Sequence, residues 1–227
     1  MAKIVATVTC DIQNSSKYSV IDRNKINRIL LEKIQSVHKL YRKEIQTLAS
    51  FSIIQGDEFQ FVINNPKRAY EIVVFFRILI GLEPLKPLVT FRTSIGIGEI
   101  SVETGESSYS QDGEAFHLSR FGMEDFISNK GMRKRRSIIR TNNKKLNENL
   151  NIILMYQDLI ESRWTLEQME AIRWRIEMLP YKKIAETVGV AWQNIQKRLK
   201  AAYWDQYYFG LKFVEKIIEI HLSKGET

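Results

Sequence analysis

The chain has only one cysteine and three histidines among its 227 residues, and this scarcity excludes several kinds of protein. Cys10 alone cannot form an internal disulfide, and so few thiol and imidazole ligands argue against a structural zinc site. No apolar run reaches the roughly 18 residues of a membrane span. The longest run, residues 72–80, contains Arg77 and predicts a buried helix. The first residues show no signal-peptide pattern, so we expect a cytoplasmic protein without membrane insertion.

Acidic residues are outnumbered by basic ones, 26 against 34, which leaves a net charge of +8 and a pI near 9.5. Excess positive charge favours polyanionic partners such as nucleic acid, nucleotides or anionic membrane. Residues 130–145 carry eight basic side chains and no acidic one: Lys130, Arg133, Lys134, Arg135, Arg136, Arg140, Lys144 and Lys145. Such a run is either a solvated basic loop or a surface that contacts phosphate or DNA.

Strand and helix patterns alternate over the first ~145 residues, which predicts an α/β (α+β) domain built on a mixed sheet. A strand over residues 3–11 precedes a helix over 22–45 that Asp22 would cap, and a hairpin spans 51–63. From residue 142 onward the pattern is helical throughout. We therefore predict two domains, an α/β domain over 1–145 and an all-α domain over 146–227.

Two aspartates stand where predicted strands end or turn. Asp11 ends the first strand, and Asp57 occupies the tip of the hairpin. If these strands pair side by side, both carboxylates lie at one edge of the sheet, where they would suit Mg²⁺ or Mn²⁺. The alternative is structural, because glycine–aspartate turns between strands are common without function.

The spacing of Ala185, Gly189 and Ile195 predicts a helix-turn-helix. A small residue lets two helices approach, a glycine four positions later accepts the backbone of a tight turn, and an apolar residue anchors the second helix. Thr165 would cap a preceding helix.

The second helix of this motif would begin at Trp192 and read DNA. Amide side chains suit adenine edges, and lysines or arginines suit phosphates. The predicted DNA-binding residues are Lys182, Lys183, Trp192, Gln193, Asn194, Gln196, Lys197, Arg198 and Lys200. The alternative is a three-helix packing module used for protein contacts or dimerisation.

Four segments of the sequence resemble parts of known nucleotide enzymes. Residues 11–16 (Asp-Ile-Gln-Asn-Ser-Ser) resemble the first metal loop of class III nucleotidyl cyclases. Residues 55–59 (Gln-Gly-Asp-Glu-Phe) resemble the hairpin of those enzymes and of GGDEF diguanylate cyclases, and residues 91–99 and 113–120 are similar to later parts of the same fold. Together with a C-terminal helix-turn-helix of the sigma-factor type, this order of motifs resembles the SatD family over nearly the whole chain.

The resemblance implies a ferredoxin-like nucleotide-cyclase palm that works as a homodimer. Asp11 and Asp57 would be the catalytic and metal-binding residues, with Mg²⁺ or Mn²⁺ bridging a nucleoside triphosphate. The residues implied to bind nucleotide are Ile12, Gln13, Asn14, Ser15, Ser16, Gly56, His117 and Arg120.

Four positions depart from the cyclase pattern. Ile53 stands where purine cyclases place a base-reading lysine, Gln55 replaces a glycine, His117 replaces an asparagine, and the helix arginine would fall at Phe121. The metal-binding half is kept and the base- and ribose-reading half is altered. Three functions follow: a nucleotide- and metal-responsive DNA-binding regulator, an active nucleotidyl cyclase or transferase, or a non-catalytic assembly module.

Overall fold

A computed structural model of the chain describes residues 3–45, 52–55, 57–85, 88–100, 113–128, 131 and 135–224. Within these residues five strands form one sheet: β1 (Lys3–Ile12), β2 (Ser52–Gln55), β3 (Glu58–Ile63), β4 (Phe91–Ile100) and β5 (Ser137–Arg140). The same residues form eight α-helices: α1 (Val20–Leu40), α2 (Ala69–Gly81), α3 (Glu114–Ser128), α4 (Lys144–Glu161), α5 (Leu166–Ile176), α6 (Tyr181–Val188), α7 (Trp192–Ala201) and α8 (Trp204–Lys224).

The strands lie in the order β2-β3-β1-β4-β5, with β1 antiparallel to both β3 and β4. The first four strands, together with α1 and α2, form the βαββαβ unit of ferredoxin-like folds. Helix α3 then crosses over to β5, which pairs parallel to β4, as a parallel pair requires. The predicted mixed-sheet α/β architecture is therefore confirmed.

Helices cover both faces of the sheet, and the core on one face is much larger than the core on the other. Alternate side chains of β1, including Val8 and Cys10, belong to one large core together with α1 and α2. The opposite face is covered by α3, through Ala115 and Phe116. Helix α2 is buried along its whole length, because the C-terminal helices α5 and α8 pack against it as well.

Helix α1 begins earlier than the sequence predicted and ends earlier too. Ser19 is its N-cap and accepts a hydrogen bond from the Asp22 backbone, while the Asp22 carboxylate reaches back to Ser19. Asp22 is thus the third residue of a capping box and not the cap itself. The helix ends at Leu40, after which Tyr41 turns inward and donates its hydroxyl to Glu71 Oε1 at 2.9 Å.

The helices after residue 143 have the predicted order. Helices α5, α6 and α7 pack against one another, and α8 contacts α2, α4 and α7. Buried side chains run without a break from the sheet into these helices. The proposed division at residue 145 stays a prediction. None of the described helices is both long and apolar enough to cross a bilayer.

Candidate functional site

Asp11 lies near the end of β1, between two charged residues of the neighbouring strands. The antiparallel register places Glu58 of β3 opposite Asp11 on one side and Arg92 of β4 opposite it on the other. All three side chains are partly buried and lie on the face of the sheet that α3 covers.

Asp57 is held at the same corner by the loop that follows β1. The backbone N–H of Ile12 donates to the Asp57 carbonyl at 2.9 Å, and the Ser15 hydroxyl donates to Asp57 Oδ2. The predicted proximity of the two aspartates is therefore present in the structure. We call Asp11, Asp57, Glu58 and Arg92 the carboxylate corner.

The electrostatics of this corner favour a bound cation. Burial and then the nearby Asp57 charge raise the pKa of Asp11 to about 6, and Arg92 opposes that shift only in part. Burial also raises the pKa of Glu58, again against the effect of a nearby arginine, Arg120. A divalent ion would relieve the repulsion between these carboxylates.

Residues 13–16 form a turn that leaves fewer phosphate-binding groups than expected. The Gln13 N–H donates to the Thr90 carbonyl at 2.8 Å, so it is not available to a ligand. Asn14 adopts a left-handed backbone (φ 58°), and Ser15–Lys17 continue as a short 3-10 helix. Asn14, Ser15 and Ser16 remain the candidate backbone donors of this loop, and Ser15 is already joined to Asp57 through its side chain.

Helix α3 brings one of its two predicted nucleotide contacts toward the corner. Arg120 is exposed, and its charge acts on Glu58. His117 is also exposed and lies one turn earlier on α3. Gly56, the remaining predicted nucleotide contact, lies outside the described residues.

A buried polar network holds α3 against the sheet beside the corner. Gln60 Nε2 donates to Thr9 Oγ1 at 2.8 Å, and Thr9 lies 2.9 Å from the Ser119 hydroxyl of α3. Arg92 also contacts α3, with its guanidinium carbon 5.6 Å from the Phe126 ring centroid. The position of Arg120 is therefore set by contacts of α3 that are themselves buried.

The sequence left Glu58 and Glu99 open as either members of the site or solvated residues, and it did not single out Arg92. The strand register is the signal that places Glu58 and Arg92 at the site, because each sits directly opposite Asp11. Glu99, which the sequence left as a possible further ligand, pairs opposite Ile4 at the other end of β1 and is exposed.

A metal at this corner would have few protein ligands. No group of three or more His, Cys, Asp or Glu side chains arranged for a metal occurs among the residues that the structure describes. Mg²⁺ is usually bound through one or two carboxylates together with substrate phosphates, and Asp11 with Asp57 fits that pattern.

The second candidate surface lies on α6 and α7. Gly189 takes a left-handed conformation (φ 74°) between them, and Ala185 and Ile195 are both buried. The residues predicted to contact DNA are exposed, except for Arg198: Lys182, Lys183, Trp192, Gln193, Asn194, Gln196, Lys197 and Lys200. Arg198 is partly buried and pairs with Glu170 at 3.3 Å.

Three arginines of the basic run contribute to the fold, while Lys144 and Lys145 are exposed. Arg136 pairs with Glu161 at 3.3 Å, Arg140 pairs with Asp125, and Arg135 donates to the Asn151 carbonyl. Lys130, Arg133 and Lys134 lie outside the described residues.

The strand order and the carboxylate corner define a mixed α/β protein with a ferredoxin-like sheet and an acidic site at one edge. The SatD family model matches residues 5–217, and the chain belongs to that family. No curated protein matches it. Among solved structures, the chain is similar to the active GGEEF domain of a diguanylate cyclase from Vibrio cholerae. That similarity has 14% identity and a TM-score of 0.41, over 63% of this chain and 85% of the other.

Proposed function

We propose that this protein is a DNA-binding regulator that responds to a nucleoside phosphate bound, with Mg²⁺ or Mn²⁺, at Asp11 and Asp57. The observation that carries the proposal is the carboxylate corner, where two aspartates distant in sequence come together, with Arg92 opposite Asp11 and Arg120 acting on the adjacent Glu58. The raised pKa of Asp11 is the electrostatic reason for a cation there.

Asp11, Asp57 and Arg92 of the corner, and four residues near it, have roles in this proposal. Asp11 and Asp57 hold the metal, which would neutralise phosphate charge. Ser15 orients Asp57, and Arg92 and Arg120 supply the remaining positive charge for a polyphosphate. Asn14 and Ser16 lie in the loop whose backbone would face the phosphates.

The response would be read out by α6 and α7 acting as a helix-turn-helix. In such motifs the N-terminal residues of the second helix contact base edges in the major groove. Trp192, Gln193 and Asn194 occupy that position and are exposed. Lys182 and Lys183 at the start of α6 would contact phosphates, and a homodimer would present two such surfaces to paired half-sites.

The test is thermal unfolding of wild type and Asp57→Asn with each nucleoside triphosphate, with and without Mn²⁺. A ligand at 100 times its Kd stabilises the folded state by about 2.7 kcal/mol, or about 5–10 °C in a chain of this size. We expect a metal-dependent shift with wild type and none with Asp57→Asn. Glu99→Gln, at the far end of the sheet, is the control and should shift like wild type.

A shift that persists in Asp57→Asn, or no shift with any nucleotide, would contradict the proposed site. The affinity of the same proteins for labelled duplex DNA is then measured with and without the nucleotide that produces the thermal shift. The proposal requires that the nucleotide changes the DNA affinity of wild type but not of Asp57→Asn. Release of pyrophosphate in the presence of Mn²⁺ would instead identify a nucleotidyl transferase.

A further inference from the structure

A groove of ≈ 770 Å³ lies between α7, the first residues of α8 and the beginning of α6. This volume is in the range of roughly 300–1,000 Å³ that ligand sites occupy. The side chains that define its chemistry are Tyr181, Gln196, Lys197, Lys200, Tyr203 and Gln206. Trp192, Gln193 and Asn194, at the other end of α7, do not line it, whereas Gln196, Lys197 and Lys200 belong both to the groove and to the predicted DNA-binding residues.

Tyr203 has an unusual backbone for so large a side chain. It follows the C-cap residue Ala202 with φ 52°, in the left-handed region that glycine normally occupies after a helix. A bulky residue adopts this conformation at a cost in free energy. The residue is nevertheless 62% exposed, so burial does not offset that cost. A strained and exposed aromatic residue points to a role in binding.

The second tyrosine of the groove, Tyr181, is held by a contact with an arginine. Arg175 places its guanidinium carbon 5.0 Å from the Tyr181 ring centroid and donates to the Leu179 carbonyl at 2.7 Å. The groove therefore offers two aromatic rings, one held by an arginine and one held by its own strained backbone.

The charge of the groove favours an anionic chain. Lys197 and Lys200 are both exposed, and among the described residues neither pairs with a carboxylate. Asp205 is the one acidic residue in the lining, and a carboxylate can accept a hydrogen bond from the exocyclic amine of a base. Gln196 and Gln206 add donors and acceptors suited to base edges.

We infer that this groove binds a short segment of single-stranded nucleic acid. Bases would stack on Tyr203 and Tyr181, and Lys197 and Lys200 would contact the backbone phosphates. A duplex cannot make these contacts, because its bases are already stacked on one another and present only their edges. The groove shares Gln196 and both lysines with the proposed duplex surface, but it does not depend on nucleotide binding at the carboxylate corner.

The test is fluorescence anisotropy of the full chain with labelled oligo-dT and oligo-rU at fixed low salt, comparing wild type with Tyr203→Gly. Loss of a stacking ring should weaken binding of the preferred oligonucleotide about tenfold. The same change relieves the strained backbone, so the melting temperature should stay equal or rise. Tyr203→Phe keeps a ring and should keep the wild-type affinity.

Met178 provides a matched control. It has the same left-handed backbone (φ 64°) at a helix end and is 72% exposed, but it does not line the groove. Met178→Gly should therefore leave the affinity for single strands unchanged. The ratio of oligo-dT to oligo-rU affinity shows whether the natural strand is DNA or RNA.

Wild-type affinity in Tyr203→Gly, an equal loss in Met178→Gly, or no binding of either oligonucleotide would overturn the inference. Gln193→Ala separates it from the proposed function. That change should weaken binding of duplex DNA and leave single-strand binding intact, since Gln193 does not line the groove.

Discussion

At the scale of single residues, Asp11 illustrates how a candidate site reduces stability. Its pKa is raised from 3.8 to about 6, so the folded protein binds this proton more tightly than the unfolded chain does. The stability that protonation provides is present at low pH. It declines as pH rises from about 4 and is lost above about pH 6.

Asp11→Asn should therefore stabilise the ligand-free protein at pH 7.5, by about 1 kcal/mol once the partial solvation of the carboxylate is allowed for. Urea unfolding at pH 4 and pH 7.5 measures this, and the gain should vanish at pH 4. The variant should also lose any metal-dependent stabilisation by nucleotide. A loss of stability at pH 7.5 would contradict this electrostatic account.

The residues of the corner differ in how well the sequence predicts them. Asp11 and Asp57 stand out because polar residues end or interrupt apolar strands. For Glu58 the sequence leaves open a site residue or a solvated one, and Arg92 does not stand out, because charged residues next to turns and within strands are common and only pairing shows that they face Asp11. Gln13 was assigned to phosphate binding, but its N–H is used by Thr90, and no local pattern signals a bond across 77 positions.

At the scale of elements, α3 crosses β4 at Gly96. A methyl group at this position would collide with backbone atoms of Ala115 and Ser119. Glycine within a strand indicates a bulge or close approach by a ligand or another backbone, and at Gly96 the structure shows the backbone of α3. This close approach brings α3, and with it Arg120, near the carboxylate corner.

Gly96→Ala should destabilise the protein by about 3 kcal/mol, because neither backbone can move without breaking the packing of α3. Gly81→Ala is the control. There the nearest atom is the flexible Met169 Sδ at 3.2 Å, and the residue lies in a helix. It should change stability by less than about 1 kcal/mol. Chemical denaturation of both variants checks this, and equal effects would refute the packing argument.

Helices α6 and α7 were the easiest elements to predict. Their boundaries depend on local features: Gly189 with its left-handed backbone, and apolar residues at helical spacing. The start of α1 was harder, because Ser19 and Asp22 can each cap a helix and only the reciprocal hydrogen bonds of the capping box distinguish them.

At the scale of the whole molecule, buried charges join the sheet region to the C-terminal helices. Arg77 of α2 donates to Glu161 of α4 at 2.8 Å and to the Ser137 hydroxyl of β5 at 2.8 Å. The Tyr207 hydroxyl of α8 donates to the same Glu161 carboxylate at 3.1 Å. Burial by itself would lower the pKa of Arg77, but the Glu161 carboxylate raises it. The pKa of the guanidinium therefore lies above its ordinary value.

A second, partly buried network links the same two regions. Glu71 of α2 accepts from Arg68 at 2.7 Å and from Lys212 of α8 at 2.9 Å, and Glu215 bonds both of those cations. Helix α8 is thus tied to α2 at two levels.

Glu161→Gln should cost about 3 kcal/mol of stability, because it leaves the Arg77 charge buried without its partner. All four tryptophans (Trp164, Trp174, Trp192 and Trp204) lie after residue 145, so their fluorescence reports on the C-terminal helices. The unfolding midpoint measured by tryptophan fluorescence should shift by the same amount as the midpoint measured by far-ultraviolet circular dichroism.

Glu186→Gln is the matched control, since Glu186 pairs with Lys183 at 3.2 Å on an exposed surface. Its effect should be below about 1 kcal/mol. A small effect of Glu161→Gln, or separate transitions in the two signals, would show that the junction does not couple the regions.

The sequence by itself determined the elements whose signals are local. These are the amphipathic helices, the glycine turn before α7, the strand that ends at Asp11 and the hairpin that carries Asp57. Only the tertiary structure decided which charges meet. Strand register placed Glu58 and Arg92 beside Asp11, and helix packing buried Arg77 against Glu161. Such contacts join positions far apart in the chain, and hydrophobic periodicity specifies which face of an element is buried but not which residue it meets there.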